Sequence, residues 1–353
     1  MTLELLKDIG EQGLLERLQP FCPPGIVGDD GAVIPPPESG QSLVITTDVL
    51  VNGVHFSDRY GGVSQCTTSP EDAGWRAAAA NLSDLAAMGA SPLGITVGLS
   101  LTGDVPVSWV ERLYQGMTQC LNQYNTPIVG GDICRSPVIS IAITAFGQVY
   151  PDRAIRRTGA KVGHAIVVTG VHGASRAGLE LLLKSDFGKD LSPEKRLSLI
   201  KAHQRPKPRL DVISLLSLQV NRLKLESSNL QPDNLQLSIA GMDSSDGLAD
   251  AIVQICRASG VGAEIDPNRI TLPPSLSKLV SPEQALDWAL YGGEDFELVL
   301  CLPTEAAEEL VAQLGEGAAV IGKITSGNQV WLKDKTGTYA DQLLSLNKGF
   351  QHF

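Results

Sequence analysis

Leu43-Val44-Ile45-Thr46-Thr47-Asp48 is the stretch from which the fold can be read. Leu, Val, Ile and paired Thr side chains favour a strand, and Asp48 is expected to project from its end. Upstream, Leu5, Ile9, Leu14, Leu15 and Leu18 form an approximate apolar stripe that predicts an amphipathic helix over residues 3–19. A Pro/Gly-rich stretch from Cys22 to Gly31 separates that helix from the strand. Downstream, Ser69-Pro70-Glu71-Asp72 has the pattern of a capping box, with Ser69 at N-cap, Pro70 at N1 and an acid at N3. The helix it starts should run through Trp75, the alanine tract and Leu82 to about Met88, stopped by Gly89. A strand near Gly94–Leu101, a helix from about Val107 to Tyr124, the short apolar Pro127-Ile128-Val129 and a strand at Ile139–Phe146 follow. The order β-α-β then α-β-β predicts an α+β domain with helices packed on one sheet face.

The basic connection from Pro151 to Gly163 (Arg153, Arg156, Arg157, Lys161) is the expected boundary, giving domains over residues 1–152 and 153–353. A chain of 353 residues is too long for one ordinary core, in keeping with two domains. The second half opens with a buried strand, Ala165-Ile166-Val167-Val168-Thr169-Gly170. Helices are expected near 174–184, 193–202, 208–217 and 246–259, and strands over 297–302, 318–325 and 329–333, with a helix begun by Pro303-Thr304-Glu305 between the first two. This half is expected to be an α/β domain. Leu225 to Gln236 is polar and reads as a surface insertion.

The net charge of −11 and the lack of a basic stripe argue against nucleic acid as a partner. An anionic substrate would need a divalent metal or a local Arg or Lys. Six scattered cysteines include no Cys-x-x-Cys pair, which argues against zinc and for reduced thiols. The N-terminus carries acids early and lacks a signal-peptide core, and no apolar run approaches the ~20 residues that span a bilayer. The expectation is a cytoplasmic protein with no membrane partner.

Six short acidic words carry the chemistry: Gly28-Asp29-Asp30-Gly31, Thr46-Thr47-Asp48, Asn81-Leu82-Ser83-Asp84, Gly130-Gly131-Asp132, Asp243-Ser244-Ser245-Asp246-Gly247 and Gly292-Gly293-Glu294-Asp295. Most fall where an apolar run stops or a turn begins. Gathered together, such oxygen donors suit a hard cation such as Mg²⁺ bridging protein carboxylates to phosphates.

Each word also has an ordinary structural reading. Asp84 interrupts an Ala-rich helix, where it costs propensity and caps nothing, so a ligand role is favoured over pairing with Arg76 or a loop N–H. Thr47-Asp48 alone fits a turn cap as well as a metal ligand. The glycines of Gly130-Gly131-Asp132 permit positive φ and close backbone approach, leaving N–H groups free for phosphate beside a carboxylate. Ser245, Asp246 and Gly247 open a helix whose N-terminus favours phosphate, and an ordinary N-cap would explain only one of the two acids. His55 and Arg157 are by default loop or linker side chains. Glu294 and Asp295 fit a solvated turn equally well. Two decoys fail: Gly317 to Lys323 has P-loop spacing but an apolar interior and Ile324 in place of Ser or Thr. Asp243 to Gly247 lacks the first ligand and the bidentate Glu of a calcium loop. No dinucleotide glycine fingerprint follows a strand.

Taken in order, these words join Gly53-Val54-His55-Phe56, Arg157-Thr158-Gly159-Ala160-Lys161, Arg205-Pro206-Lys207-Pro208-Arg209 and the terminal Gly349-Phe350-Gln351-His352-Phe353. From about Gly28 to Phe353 the chain resembles the thiamine-monophosphate kinase family, in the superfamily of aminoimidazole ribonucleotide synthetase and selenophosphate synthetase. That resemblance implies ATP-dependent phosphorylation of thiamine monophosphate to thiamine diphosphate, and a homodimer paired through the N-terminal sheet. It implies Mg²⁺ ligands at Asp30, Thr46, Thr47, Asp48, Asp84, Asp132, Asp243 and Asp246. It implies ATP contacts at Tyr114, Gly131, Asp132, Arg157 and Ser245, and thiamine monophosphate contacts at His55, Glu294 and Phe350. Asp48, Asp84, Asp132, Arg157 and Asp243 form the expected catalytic set.

Chemistry makes this reasonable. A phosphate monoester has a second pKa near ~6 and is largely dianionic at neutral pH, so its oxygen needs no general base. The difficulty is bringing two anionic phosphates into line, which bound cations and Arg157 would ease. Aminoimidazole ribonucleotide synthetase is disfavoured by Gly-Val-His-Phe and Gly-Phe-Gln-His-Phe. Selenophosphate synthetase would need a reactive Cys before the first acidic word, and the hydrogenase-maturation relative a C-terminal Cys. A non-catalytic sensor of nucleotide or thiamine phosphate is the alternative from another class.

Overall fold

A computed structural model describes residues 4–24, 26, 32, 34–58, 60, 66–226 and 238–349. They form two compact units, the first comprising residues 1–85, 90–151 and 204–206, the second residues 86–89, 152–203 and 207–353. The fold is α+β in two domains, as the element order predicts.

In the first unit, α1 (Leu6–Leu18) is broken at Gly10, whose φ of 67° is not helical. The N-cap of α2 (Pro70–Ala87) forms: Ser69 Oγ accepts from the Asp72 N–H at 3.1 Å and donates to Asp72 Oδ2 at 2.7 Å, so the acid at N3 meets the cap hydroxyl. With α3 (Val107–Leu121) come four strands, β1 (Ser42–Val51), β2 (Ser91–Leu101), β3 (Ile128–Arg135) and β4 (Ser140–Val149), in the order β1-β4-β2-β3. Strict alternation along β4 buries Ile141, Ile143, Ala145 and Val149 and leaves their neighbours half-buried. Leu85 of α2 packs on Gly147 from that buried side. The other face carries Leu43, Ile45 and Val49 of β1 in the open, with Ile45 57% exposed.

Two expectations need correcting here. Asp48 does not end its strand, because Val49, Leu50 and Val51 continue the apolar run and pair with Ala142, Ile141 and Ser140. Nor do Gly130 and Gly131 form a positive-φ turn; both lie inside β3, paired with Thr96 and Val97.

The second unit has a seven-stranded sheet in the order β11-β10-β7-β9-β5-β8-β6. Its strands are β5 (Ala165–Val168), β6 (Ala240–Asp243), β7 (Gly262–Ile265), β8 (Leu298–Leu302), β9 (Ala319–Thr325), β10 (Val330–Leu332) and β11 (Gln342–Leu343). Only β7 and β10 pair in parallel. Helices cover both faces, so β5 and β8 are buried along their whole length. Ile166, Val168, Val299 and Cys301 share one core with α7 (Leu248–Ser259) and α8 (Pro282–Tyr291). Val167, Leu298, Leu300 and Leu302 face α6 (Leu210–Glu226) and α9 (Thr304–Leu314). A smaller cluster joins α4 (Ala174–Leu183) and α5 (Pro193–Gln204) to Trp288. Gly317 to Lys323 runs mainly as the apolar strand β9, in keeping with its rejection as a phosphate loop. Of the expected insertion at 225–236, residues 225–226 end α6 and the rest lie outside the described residues.

Candidate functional site

The first wall lies between β1 and α2. Alternation turns Thr46 and Asp48 to the side of β1 that also carries buried Leu50. Asn81 and Asp84 stand three apart on α2 and reach the same ground. Thr46 Oγ1 donates to Asp84 Oδ2 at 2.5 Å, and the Asp48 N–H donates to Asn81 Oδ1 at 3.2 Å. Asn81 is itself fully buried and anchored through Nδ2 to the Ala77 carbonyl at 3.0 Å. Asp84 therefore interrupts the alanine tract in order to meet a strand hydroxyl. Asn81 was not singled out from sequence as a site residue, although its place three residues before Asp84 was a usable signal.

Thr47 points to the opposite face, where its hydroxyl meets that of Thr144 at 2.9 Å. Asp132, exposed on β3, shares that opposite face through its register with Gly98 and Ala142. Three strand intervals separate β1 from β3, about 14 Å at ~4.8 Å each. This wall thus gathers Thr46, Asp48 and Asp84 and leaves Thr47 and Asp132 on the other side of the sheet. Gly131 is required for space: a Cβ there would stand 2.2 Å from the Val97 carbonyl oxygen. His55 lies in the turn after β1, where its Nδ1 accepts the Val51 N–H at 3.1 Å; the neutral ring then carries its proton on Nε2. Tyr114 is an interior residue of α3, its ring centroid 5.6 Å from that of Phe21, and burial holds its phenol far above the usual range.

The second wall lies at the ends of β6 and β8. Asp243 is 4% exposed and accepts from Ser245 Oγ at 3.1 Å. The helix expected from Ser245 begins at Leu248, so Ser245 and Asp246 occupy the turn before it and Gly247, at φ 113°, is its N-cap. Two backbone bonds tie that turn to the loop before β8: Ser244 N–H to the Glu297 carbonyl at 2.8 Å, and Glu294 N–H to the Ser245 carbonyl at 2.7 Å. Gly293, Glu294 and Phe296 all have positive φ, at 67°, 60° and 53°. For a Glu and a Phe this is uncommon backbone, of the kind that collects at functional loops. A Cβ at Gly293 would stand 2.7 Å from the Ser245 carbonyl oxygen.

Around these loops lies polar support that was not read from the sequence. Asp295 accepts the Gly173 and Ser175 N–H groups at 2.7 and 2.9 Å, closing the start of α4. Burial pushes its carboxyl up to about 7 against those bonds. Glu297 takes the Thr169 hydroxyl at 2.6 Å and the Arg209 guanidinium, which also grips Asp211 through two 3.0 Å bonds. Burial raises the Glu297 carboxyl and Arg209 opposes it. His172 Nε2 stands 3.1 Å from Ser244 Oγ, and burial pushes this imidazole down to about 4. The only hint of this support was Asp295 in its acidic word and Arg209 in its own.

Arg157 is exposed and donates to Gln254 Oε1, whose amide donates to Asp250 at 2.6 Å. Gln254 is about 9 Å along α7 from Leu248 at 1.5 Å per residue, so this guanidinium lies beside the helix, away from its first turn. Gly349 packs against the Asp246 carbonyl and Lys348 lies 5.5 Å from the centre of the Tyr291 ring, so the final described residues end beside the second wall. Asp30 and Phe350 lie outside the described residues. Among the described residues no three His, Cys, Asp or Glu side chains cluster closely enough to hold a metal ion. None of the described helices is long and apolar enough to cross a membrane.

Residues 28–149 match the N-terminal domain model of AIR synthase related proteins and residues 161–335 the C-terminal one. Thiamine-monophosphate kinase of Synechococcus elongatus is 50% identical over 355 residues, covering 100% of this chain and 99% of that protein. The Escherichia coli K12 thiamine-monophosphate kinase is 37% identical, covering 93% and 91%. The structure of AaThiL complexed with AMPPCP and TMP superposes with a TM-score of 0.70 at 31% identity, covering 100% and 99%. With both domain models matched in order and a half-identical relative along its whole length, the chain belongs to the AIR synthase related proteins and, among them, to the thiamine-monophosphate kinase family.

Proposed function

We propose that this protein performs the reaction of its family: it transfers the γ-phosphoryl group of ATP to thiamine monophosphate, giving thiamine diphosphate and ADP. The observation that carries the reading is the 50% identity to a thiamine-monophosphate kinase along the entire chain. In the transfer an oxygen of the dianionic acceptor phosphate bonds to the γ-phosphorus. The bond from that phosphorus to the β-phosphate oxygen breaks, and ADP leaves with the electron pair. The acceptor arrives without its proton, so the site must orient and neutralise rather than deprotonate.

Domain roles follow the expected division, residues 1–152 for ATP, metal and dimerisation and residues 153–353 for completing the site. Thr46, Asp48 and Asp84 on one wall and Asp243 and Asp246 on the other are hard oxygen donors that fit Mg²⁺, with Asp30, Thr47 and Asp132 completing the proposed set. When bound, Mg²⁺ would offset the charge shared between donor and acceptor phosphates. Asp48, Asp84, Asp132, Arg157 and Asp243 are the proposed catalytic residues. Gly131, Asp132, Arg157, Ser245 and Tyr114 would hold ATP, and His55, Glu294 and Phe350 thiamine monophosphate. The open apolar row Leu43, Ile45 and Val49 supports a homodimer through the β1 face. A cytoplasmic location suits the two soluble substrates.

The test is incubation with ATP, Mg²⁺ and thiamine monophosphate, with chromatography for thiamine diphosphate and ADP. Stoichiometric formation of both is expected. ATP consumption without thiamine diphosphate would refute the assignment.

A further inference from the structure

Three elements of the second unit converge on one imidazole nitrogen. His203 lies in the last turn of α5 and is 4% exposed. Its Nδ1 stands 3.1 Å from the hydroxyl of Ser175, in the first turn of α4, and 3.8 Å from Glu294 Oε2. The two helices pack closely enough that a Cβ at Gly178 would touch the Leu199 carbonyl at 2.1 Å and the His203 Cβ at 3.0 Å. His203 therefore has little room to swing.

Glu294 stands close to this nitrogen from a constrained loop. Its backbone sits at φ 60°, pinned by the bond to Ser245, which fixes where the side chain starts but not where the carboxylate ends. A half-buried carboxylate with several rotatable bonds presents a defined face to a ligand only if another group holds it.

We propose that His203 is a positioning residue for substrate binding: through Nδ1, shared with Ser175, it orients the Glu294 carboxylate toward thiamine monophosphate. This rests on the reading of Glu294 as a substrate contact. Nδ1 is held by the Ser175 hydroxyl at 3.1 Å and stands 3.8 Å from Glu294 Oε2, an electrostatic contact rather than a hydrogen bond, and the tight α4–α5 packing transmits a fixed geometry to the loop before β8.

The test is calorimetric binding of thiamine monophosphate and, separately, of a non-hydrolysable ATP analogue to the full-length protein and its variants. His203→Ala should weaken thiamine monophosphate by about 10-fold, as for loss of a group that orients a ligand-contacting side chain, and leave the nucleotide within about 2-fold. His203→Asn, whose amide nitrogen replaces Nδ1, should stay within about 3-fold of wild type. His203→Gln places its nitrogen near Nε2 instead and should behave like Ala. The Asn and Gln pair keeps the test decisive should the Ala variant fail to fold. Combining His203→Ala with Glu294→Gln should cost no more than the worse single change. Parallel losses for both ligands, equal behaviour of Asn and Gln, or additive effects would overturn the positioning role. Should Glu294→Gln alone leave thiamine monophosphate affinity unchanged, the substrate reading of Glu294 falls and the inference with it.

Discussion

Asp84 shows how one side chain can contradict its element for a reason. An Asp inside an alanine-rich helix is unfavourable by itself, and here it buys contact with Thr46 at 2.5 Å across the β1–α2 wall. Asp84→Asn keeps an acceptor for that hydroxyl and removes the charge. We expect kcat to fall by at least about 10²-fold with a melting temperature within a few degrees of wild type; near-normal turnover would exclude a role in catalysis. His172 gives a second prediction at this scale. Its imidazole, pushed down to about 4 by burial, binds fewer protons folded than unfolded between pH 4 and about 6.5. Its stabilisation is therefore complete above pH 6.5 and is lost as the pH falls toward 4, by on the order of 3 kcal/mol. Denaturant unfolding at pH 7 and pH 5 should show that loss in wild type and a flatter difference in His172→Gln. Side-chain chemistry of this kind was only partly legible in advance. Asp84 stood out because it broke a pattern, whereas Ser175 and His203 look unremarkable until α4 and α5 bring them together, and His172 until it meets Ser244.

Elements tell a similar story. The N-cap at Ser69 was readable because its geometry depends on four consecutive residues. Ser69→Ala should cost about 1 kcal/mol in chemical denaturation, and an unchanged midpoint would show the cap to be dispensable. β1 was readable as a strand but not in its length, since Asp48 looked like a stop and the β-branched residues beyond it decided otherwise. β6, β7 and β11 went unread, being two to four residues long and fixed by their neighbours in the sheet rather than by internal alternation. Among the helices α8, Pro282–Tyr291, went unread, although its Ser281 cap, which accepts the Gln284 N–H at 3.3 Å, was a usable signal. At Gly130-Gly131 the expected close backbone approach is met by Gly131 against Val97, while the expected positive φ is not.

For the whole molecule, the two-domain division and helix-covered sheet follow from element order, while the ligand set depended on likeness over the full chain. Local spacing cannot say whether carboxylates 200 residues apart meet. The exposed β1 face predicts association: Ile45→Lys should shift the protein from dimer to monomer in light scattering, and an unaltered mass would place the interface elsewhere. Arg205 and Pro206 belong to the first unit although sequence puts them in the second half; Arg205 bonds Asp72 at 2.5 Å and Pro206 accepts from Trp75 Nε1 at 2.9 Å. A linear cut at residue 152 would therefore strip α2 of partners.

The two faces of β1 leave it little evolutionary latitude. Thr46 and Asp48 look one way, Ile45, Thr47 and Val49 the other, so an insertion of a single residue early in the strand would exchange the two rows. Length changes should accumulate in flanking turns, while this strand tolerates replacement only of like by like.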